Sequence, residues 1–188
     1  MPVLVLILGT SHPIQVGADT VDAETLAAFR QYLLSIIRDF NVDGIAEEMS
    51  IDGLKVRVGT SSIAYSISDQ LGLSHLYADP SIEEQNRIGI LPDHQLKMNG
   101  FFNCIPNSEV ELQIDQQNLV REKIWLEKLK SFPPSRVLFI CGSNHASRFA
   151  QLVQNAGIEV NTIAQTWQPN NSMHRTPLLL GGPGDAEH

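Results

Sequence analysis

Two short stretches of this chain repeat one pattern. Gly9-Thr10-Ser11-His12 and Gly142-Ser143-Asn144-His145 each place a histidine three residues beyond a glycine that closes an apolar run. Spacing alone is weak, because 13 glycines and six histidines in 188 residues give roughly 0.4 such pairs by composition, against three present. The third, Gly72-Leu73-Ser74-His75, differs in context: its glycine ends a helical pattern and its histidine opens a strand, which predicts the opposite edge of a sheet. After a strand, glycine permits a tight turn and close backbone approach, so Gly9 and Gly142 read as turn glycines that deliver His12 and His145 to the same edge.

Carboxylates reach that edge too. "VDGIAEE" is a short apolar run ending on Glu47 and Glu48, and "SHLYAD" ends on Asp79 before Pro80. Two imidazoles and a carboxylate from separate strand ends, with positions left open, suit Mn, Fe, Co or Zn. Such a metal would acidify a bound water and polarise a carbonyl or phosphoryl oxygen, with a spare carboxylate as general base. The expected ligand set is His12, Glu47 and His145. Side chains alternate along a strand, so Glu47 and Glu48 point opposite ways unless the strand has ended; one ligates and the other orients it or serves as base, and which does which stays open. Each residue also has a plain structural use: His12 as a turn cap, Glu47 and Glu48 as solvated carboxylates, Asp79 as a turn opener, and Arg121 as an exposed helix charge paired with Glu122 or Glu127.

The elements that must position these groups follow from periodicity. Val3 to Leu8 is continuously apolar, as in a strand covered on both faces. Leu26, Phe29, Leu33, Ile36 and Phe40 predict a helix over about 23–40, with Thr20 or Asp22 as N-cap. Gly44 to Glu47 reads as the second strand, 60–71 as a helix capped by Gly72, and 74–79 as the third strand. Pro92, Gly100 and Pro106 break any period over 92–114, which leaves a long loop or a helical excursion. Leu119, Ile124, Leu126, Leu129 and Phe132 mark a helix over 115–132, stopped by Pro133-Pro134. "RVLFICG" is the fourth strand, 143–157 a helix ending at Gly157, and 158–165 the fifth strand. Alternating strands and helices predict an α/β fold, a mainly parallel open sheet with helices on both faces. Residues 1–166 form a single domain in this reading, and 167–188, rich in Pro, Gly and Asn, an arm or tail.

Composition bounds the partners. With 13 Lys and Arg against 21 Asp and Glu, the net charge is −8, which disfavours nucleic acid and anionic membranes. No apolar stretch approaches the roughly 18 residues of a membrane span, so a soluble, cytoplasmic protein is expected. Cys104 and Cys141 read as reduced and structural. A small-molecule or peptide substrate is expected, and the tail or the 92–114 segment could join a neighbouring copy in a homo-oligomer.

Taken in order over about residues 4–155, these motifs resemble the TraB/TIKI group within the erythromycin esterase/ChaN-like superfamily: paired Gly-x-x-His motifs, a Glu after the second strand and an Arg on a late helix, here Arg121 in "LVREKIWL". "ADPSIEEQNR" is similar to a segment of that group with an Asp and a downstream Arg, here Asp79 and Arg87. The resemblance implies a metal-dependent hydrolase with the two His and the Glu as ligands; on that reading we expect Glu47, Glu48 and Arg121 as catalytic groups and Asp79, Arg87 and Arg121 on the substrate, Arg121 or Arg87 binding an anionic part. Other branches bind haem or iron, which makes a non-catalytic haem-, iron- or nucleotide-binding module the alternative.

Overall fold

The computed structural model describes residues 1–57 and 61–169. Five strands, β1 (Leu4–Thr10), β2 (Gly44–Glu47), β3 (Ser74–Tyr77), β4 (Arg136–Gly142) and β5 (Glu159–Ala164), form one sheet in the order β3-β2-β4-β1-β5, and every pairing is parallel. The expected α/β class holds, and the sheet is wholly parallel. β1 runs two residues beyond the apolar stretch, to Thr10, which pairs with Gly142.

Alternation splits the strand side chains between two cores. Leu6, Leu8, Ile45, Leu138 and Ile140 pack with Phe29, Leu33 and Ile36 of α2 (Ala23–Phe40) and Ile67 of α4 (Ile63–Leu71). Val5, Ile7, Ala46, Phe139 and Cys141 face Trp125 and Leu129 of α7 (Asn107–Lys130) and Phe149 and Val153 of α8 (Ser143–Asn155). Continuous apolar strands are therefore covered on both faces, as parallel sheets require. Helix boundaries follow capping chemistry: Asp22 accepts from Thr25 N at the start of α2, Ser62 accepts from Tyr65 N at the start of α4, and Gly72 ends α4 in the left-handed region at φ 67°.

The segment 92–114 holds two helices, α6 (Asp93–Phe102) and the first turns of α7. Its breakers turn out to be boundaries: Pro92 and Pro106 occupy the N-cap positions. Gly100 lies where an added Cβ would come within 2.4 Å of Val110 Cγ2, so it is the close contact between α6 and α7. α7 thus begins eight residues before the expected 115. Short helices α1 (His12–Val16), α3 (Ile51–Arg57) and α5 (Ile82–Arg87) carry too few residues to show a period, and sequence reading misses them. Residue 60, the expected start of the fourth helix, lies outside the described residues. So do residues 170–188 of the expected tail. Trp167, its first residue, belongs to the body: it is buried, packs on Phe29 and donates its backbone N–H to Gly9 O at 2.7 Å.

The chain leaves β1 and β2 toward the α2/α4 face and leaves β4 toward the α7/α8 face. Because β4 lies between β2 and β1, both of its neighbours depart the other way, and a crevice opens at its carboxyl end.

Candidate active site

Glu48 is the hub of that crevice. It follows β2 directly, and its backbone N–H donates to Ile140 O at 2.8 Å, which carries the strand's alternation one residue further. Glu47 and Glu48 therefore point to opposite faces, Glu48 toward α7 and α8. Its fully buried carboxylate accepts the Gly142 N–H on Oε2 at 2.7 Å and Arg121 Nη2 on Oε1 at 2.8 Å. The two predicted imidazoles face the same oxygen, His145 Nε2 at 3.4 Å and His12 Nε2 at 3.7 Å. Gly142 sits among all three: an added Cβ would lie 3.2 Å from Glu48 Oε2, 3.5 Å from His145 Cδ2 and 3.8 Å from His12 Nε2. Gly9 is constrained differently, its missing Cβ leaving room for the Gln165 carbonyl.

Arg121 is not an exposed charge paired with Glu122 or Glu127. Its Nε donates to Asp79 Oδ1 at 2.9 Å, and Trp125 Nε1 donates to the same oxygen at 2.9 Å. The guanidinium lies 5.3 Å from the centre of the Trp125 ring. Burial works against its charge, but Asp79 and Glu48 outweigh that and hold the guanidinium above the ordinary arginine value. With Nε and Nη2 engaged, Arg121 ties α7 to the segments that follow β2 and β3, against the expectation that it receives an anionic substrate group. Arg87 corrects the same expectation: it is exposed at the end of α5 and does not line the crevice.

His145 has a partner that sequence reading did not propose for it. Its Nδ1 lies 2.6 Å from Oε1 of Glu122, a fully buried carboxylate on α7. Arg148 holds that carboxylate with two bonds, Nε to Oε2 at 2.6 Å and Nη2 to Oε1 at 2.8 Å, and its Nη1 reaches Asp115. Burial pushes the Glu122 carboxyl up, yet the hydrogen bonds from His145 and Arg148 prevail and keep it below the usual glutamate range. An ionised Glu122 can only accept, so Nδ1 carries a hydrogen, and Nε2, on the far side of the ring, faces Glu48 Oε1. The signal was present: the buried face of α7, with Ile114, Trp125 and Leu129, is interrupted midway by Arg121 and Glu122. Two adjacent charges inside an apolar stripe mark a buried polar network.

Glu47 does not join the histidines, which corrects the predicted ligand set. It turns to the α4 face, where Oε1 accepts the Ser62 hydroxyl and meets His75 Nε2 at 2.8 Å. His75 stands diagonally across from Glu47 in the β2/β3 register, so the third Gly-x-x-His belongs to this second cluster. Tyr77 rests edge-on to His75, its hydroxyl pushed up to about 12 by burial and by the Glu47 charge. Cys141 lies beneath the site, fully buried. Burial and the carboxylates of Glu48 and Glu122 raise its thiol far above the ordinary value, so it serves as packing. Cys104, expected to be structural, is exposed.

The separations of 3.4 and 3.7 Å are close to the edge of a tetrahedral ligand shell, about 3.4 Å for donors about 2.1 Å from zinc. The shared oxygen, however, already accepts Arg121, whose charge faces the point where a cation would sit. Among the described residues no group of three or more His, Cys, Asp or Glu is placed to hold a metal ion. The implied metal does not fit the residues as they stand. Haem fits no better, since both imidazoles stand within 4 Å of the Glu48 carboxylate, itself bonded to Arg121, a charged pair where the macrocycle would need an apolar face.

The crevice widens into a cleft of about 900 Å³ whose lining includes His12, Glu48, Asp79, Arg121, Gly142 and His145. Fold and cleft define a class: a doubly wound parallel α/β domain with an oriented imidazole at the carboxyl edge of its sheet. No family model, curated protein or solved structure matches the chain. Among the described residues no helix is long and apolar enough to cross a membrane.

Proposed function

We propose that the protein is a hydrolase of esters or amides in which His145 is the general base. The observation that carries this reading is the buried Glu122–His145 pair at 2.6 Å, on a histidine that lines the cleft. A base whose far nitrogen is fixed by a carboxylate is the shared arrangement of many acyl-transfer sites. Each carboxylate beside His145 has its own arginine, Arg148 for Glu122 and Arg121 for Glu48, so neither depends on the imidazole for its countercharge. A water on the cleft side gives its proton to Nε2 while its oxygen adds to the substrate carbonyl carbon. Glu122 stabilises the imidazolium so formed, and the same proton then passes to the leaving alcohol or amine. His12, with its side chain 37% exposed, stands at the mouth as a second proton donor. The TraB/TIKI resemblance supports hydrolysis in general, because its His12, His145, Glu48, Arg121 and Asp79 share this cleft; no step here uses a metal.

The test is turnover of a panel of simple esters and amides by wild type, His145→Ala and Glu122→Gln, with and without a chelator. Turnover is expected to survive chelation, to fall about 10²–10⁴-fold in His145→Ala, and to fall also in Glu122→Gln, which no longer fixes the tautomer. Turnover that needs an added divalent metal, or that is unchanged in His145→Ala, would overturn the mechanism.

A further inference from the structure

We infer that the substrate of this cleft carries no negative charge and has an apolar arm of several carbons that lies between the 88–91 segment, α6 and α7; the inference rests on the proposed hydrolase site for the reacting end. Two observations carry it. Among the described residues lining the cleft, Arg121 is the only lysine or arginine, against three carboxylates, Glu48, Asp79 and Asp93. That cation is already bonded to Glu48 and Asp79, and Glu48 also takes the Gly142 N–H at the start of α8, so one carboxylate has answered both the guanidinium and the positive end of the helix. A phosphate or carboxylate entering here would meet Asp79 and Asp93 with no lysine or arginine among the described residues left to answer it.

The second observation is a groove of about 390 Å³ that shares the wall formed by Ile90, Leu91 and Gln117 with the cleft. Gln117 is committed to that wall, its Oε1 accepting the Leu91 N–H at 2.9 Å. Ile88, Leu96 and Val120 complete the apolar lining, Gln113 and Gln116 add neutral amides, and among the described residues no charged side chain lines the groove. Ile88 and Val120 are 43% and 42% exposed, apolar surface that gains by being covered. A chain whose carbonyl is held at His145 passes the shared wall and enters this groove, which selects an aliphatic or similarly uncharged arm.

Binding and turnover separate this inference from the reading it rests on. In calorimetric titrations of the full chain, octanamide is expected to bind at least tenfold more tightly than butyramide, and octanoate at least tenfold more weakly than octanamide. Val120→Glu, at a half-exposed helix position, should erase the preference for octanamide while its circular dichroism stays that of wild type. For the p-nitrophenyl esters, kcat/KM should rise severalfold for each added pair of methylenes up to eight carbons, and Val120→Glu should flatten the series. Octanamide bound no better than butyramide, or octanoate bound best, overturns the inference whether or not esters are hydrolysed. Octanamide binding with the expected preference but no ester or amide turnover upholds the groove and overturns the hydrolase reading.

Discussion

Glu48 shows how much one buried carboxylate can organise. It binds the start of α8 through Gly142, the middle of α7 through Arg121, and faces both imidazoles. A buried charge is tolerable only when paired, and removing one partner leaves the other stranded. Arg121→Met would leave Glu48 and Asp79 without their shared cation, so we expect it to lower stability by about 3–5 kcal/mol in urea unfolding. Lys130→Ala, which removes only the exposed pair with Glu127, should cost no more than about 0.5 kcal/mol. Equal losses in the two variants would mean that Arg121 is not the tie described. The identity of Glu48 as the residue facing the histidines was half legible: alternation in the strand requires that Glu47 and Glu48 diverge, but not which face meets α7. Glu122 was less legible still, because a glutamate beside an arginine on a long helix reads first as surface.

At the scale of elements, the site depends on how closely the backbone segments approach. β1 and β4 lie side by side with Gly9 opposite Cys141 and Thr10 opposite Gly142, which brings the two histidine-bearing turns together. Gly9 is where the following chain crosses: an added Cβ would stand 1.8 Å from Gln165 O and 3.2 Å from Ala146 Cβ. Gly9→Ala must therefore push the 165–167 segment off the sheet end, breaking the Trp167 N–H to Gly9 O bond. We expect a loss of about 1–3 kcal/mol or more and a lowered Tm, with increased fluorescence change at Trp167. Gly157→Ala, where an added Cβ meets nothing within 4 Å but φ is +77°, should lower Tm through backbone strain alone and leave the Trp167 signal as in wild type. The helices of the 92–114 segment escaped sequence reading for a related reason: Pro92, Pro106 and Gly100 look like breakers until tertiary contact shows two as caps and one as a contact point.

For the molecule as a whole, acid stability follows from the depressed carboxyls. Glu122 is held down against its burial by His145 and Arg148, Asp22 by the Thr25 N–H and hydroxyl, and Glu84 by the Ser81 N–H. A group whose folded pKa lies below its unfolded value binds fewer protons when folded. Its stabilisation is fully present above the unfolded carboxyl range, about pH 4, and is lost as pH falls through the folded value. Tm is therefore expected to hold steady from pH 7 to about 5 and to decline below about 4, with a shallower decline in Glu122→Gln. A wild-type Tm that rises between pH 4 and 3 would contradict this sign.

By itself the sequence determined what is local. Apolar runs and heptad-like stripes are read within one element, so the order of strands and long helices, the parallel α/β class and the two histidine-bearing turns were all legible. Residues 12 and 145 converge because parallel strands end at one edge, a rule of topology that needs no coordinates. Only the tertiary structure decided what depends on rotation and distance. The orientation of α7 about its axis turns Arg121 and Glu122 inward, and the partners of Arg121 come from 42 and 73 residues away. No periodicity encodes such pairings. They arise because a buried ion accepts whichever opposite charge the packing brings within bonding distance, and that choice is made only when the sheet closes against its helices.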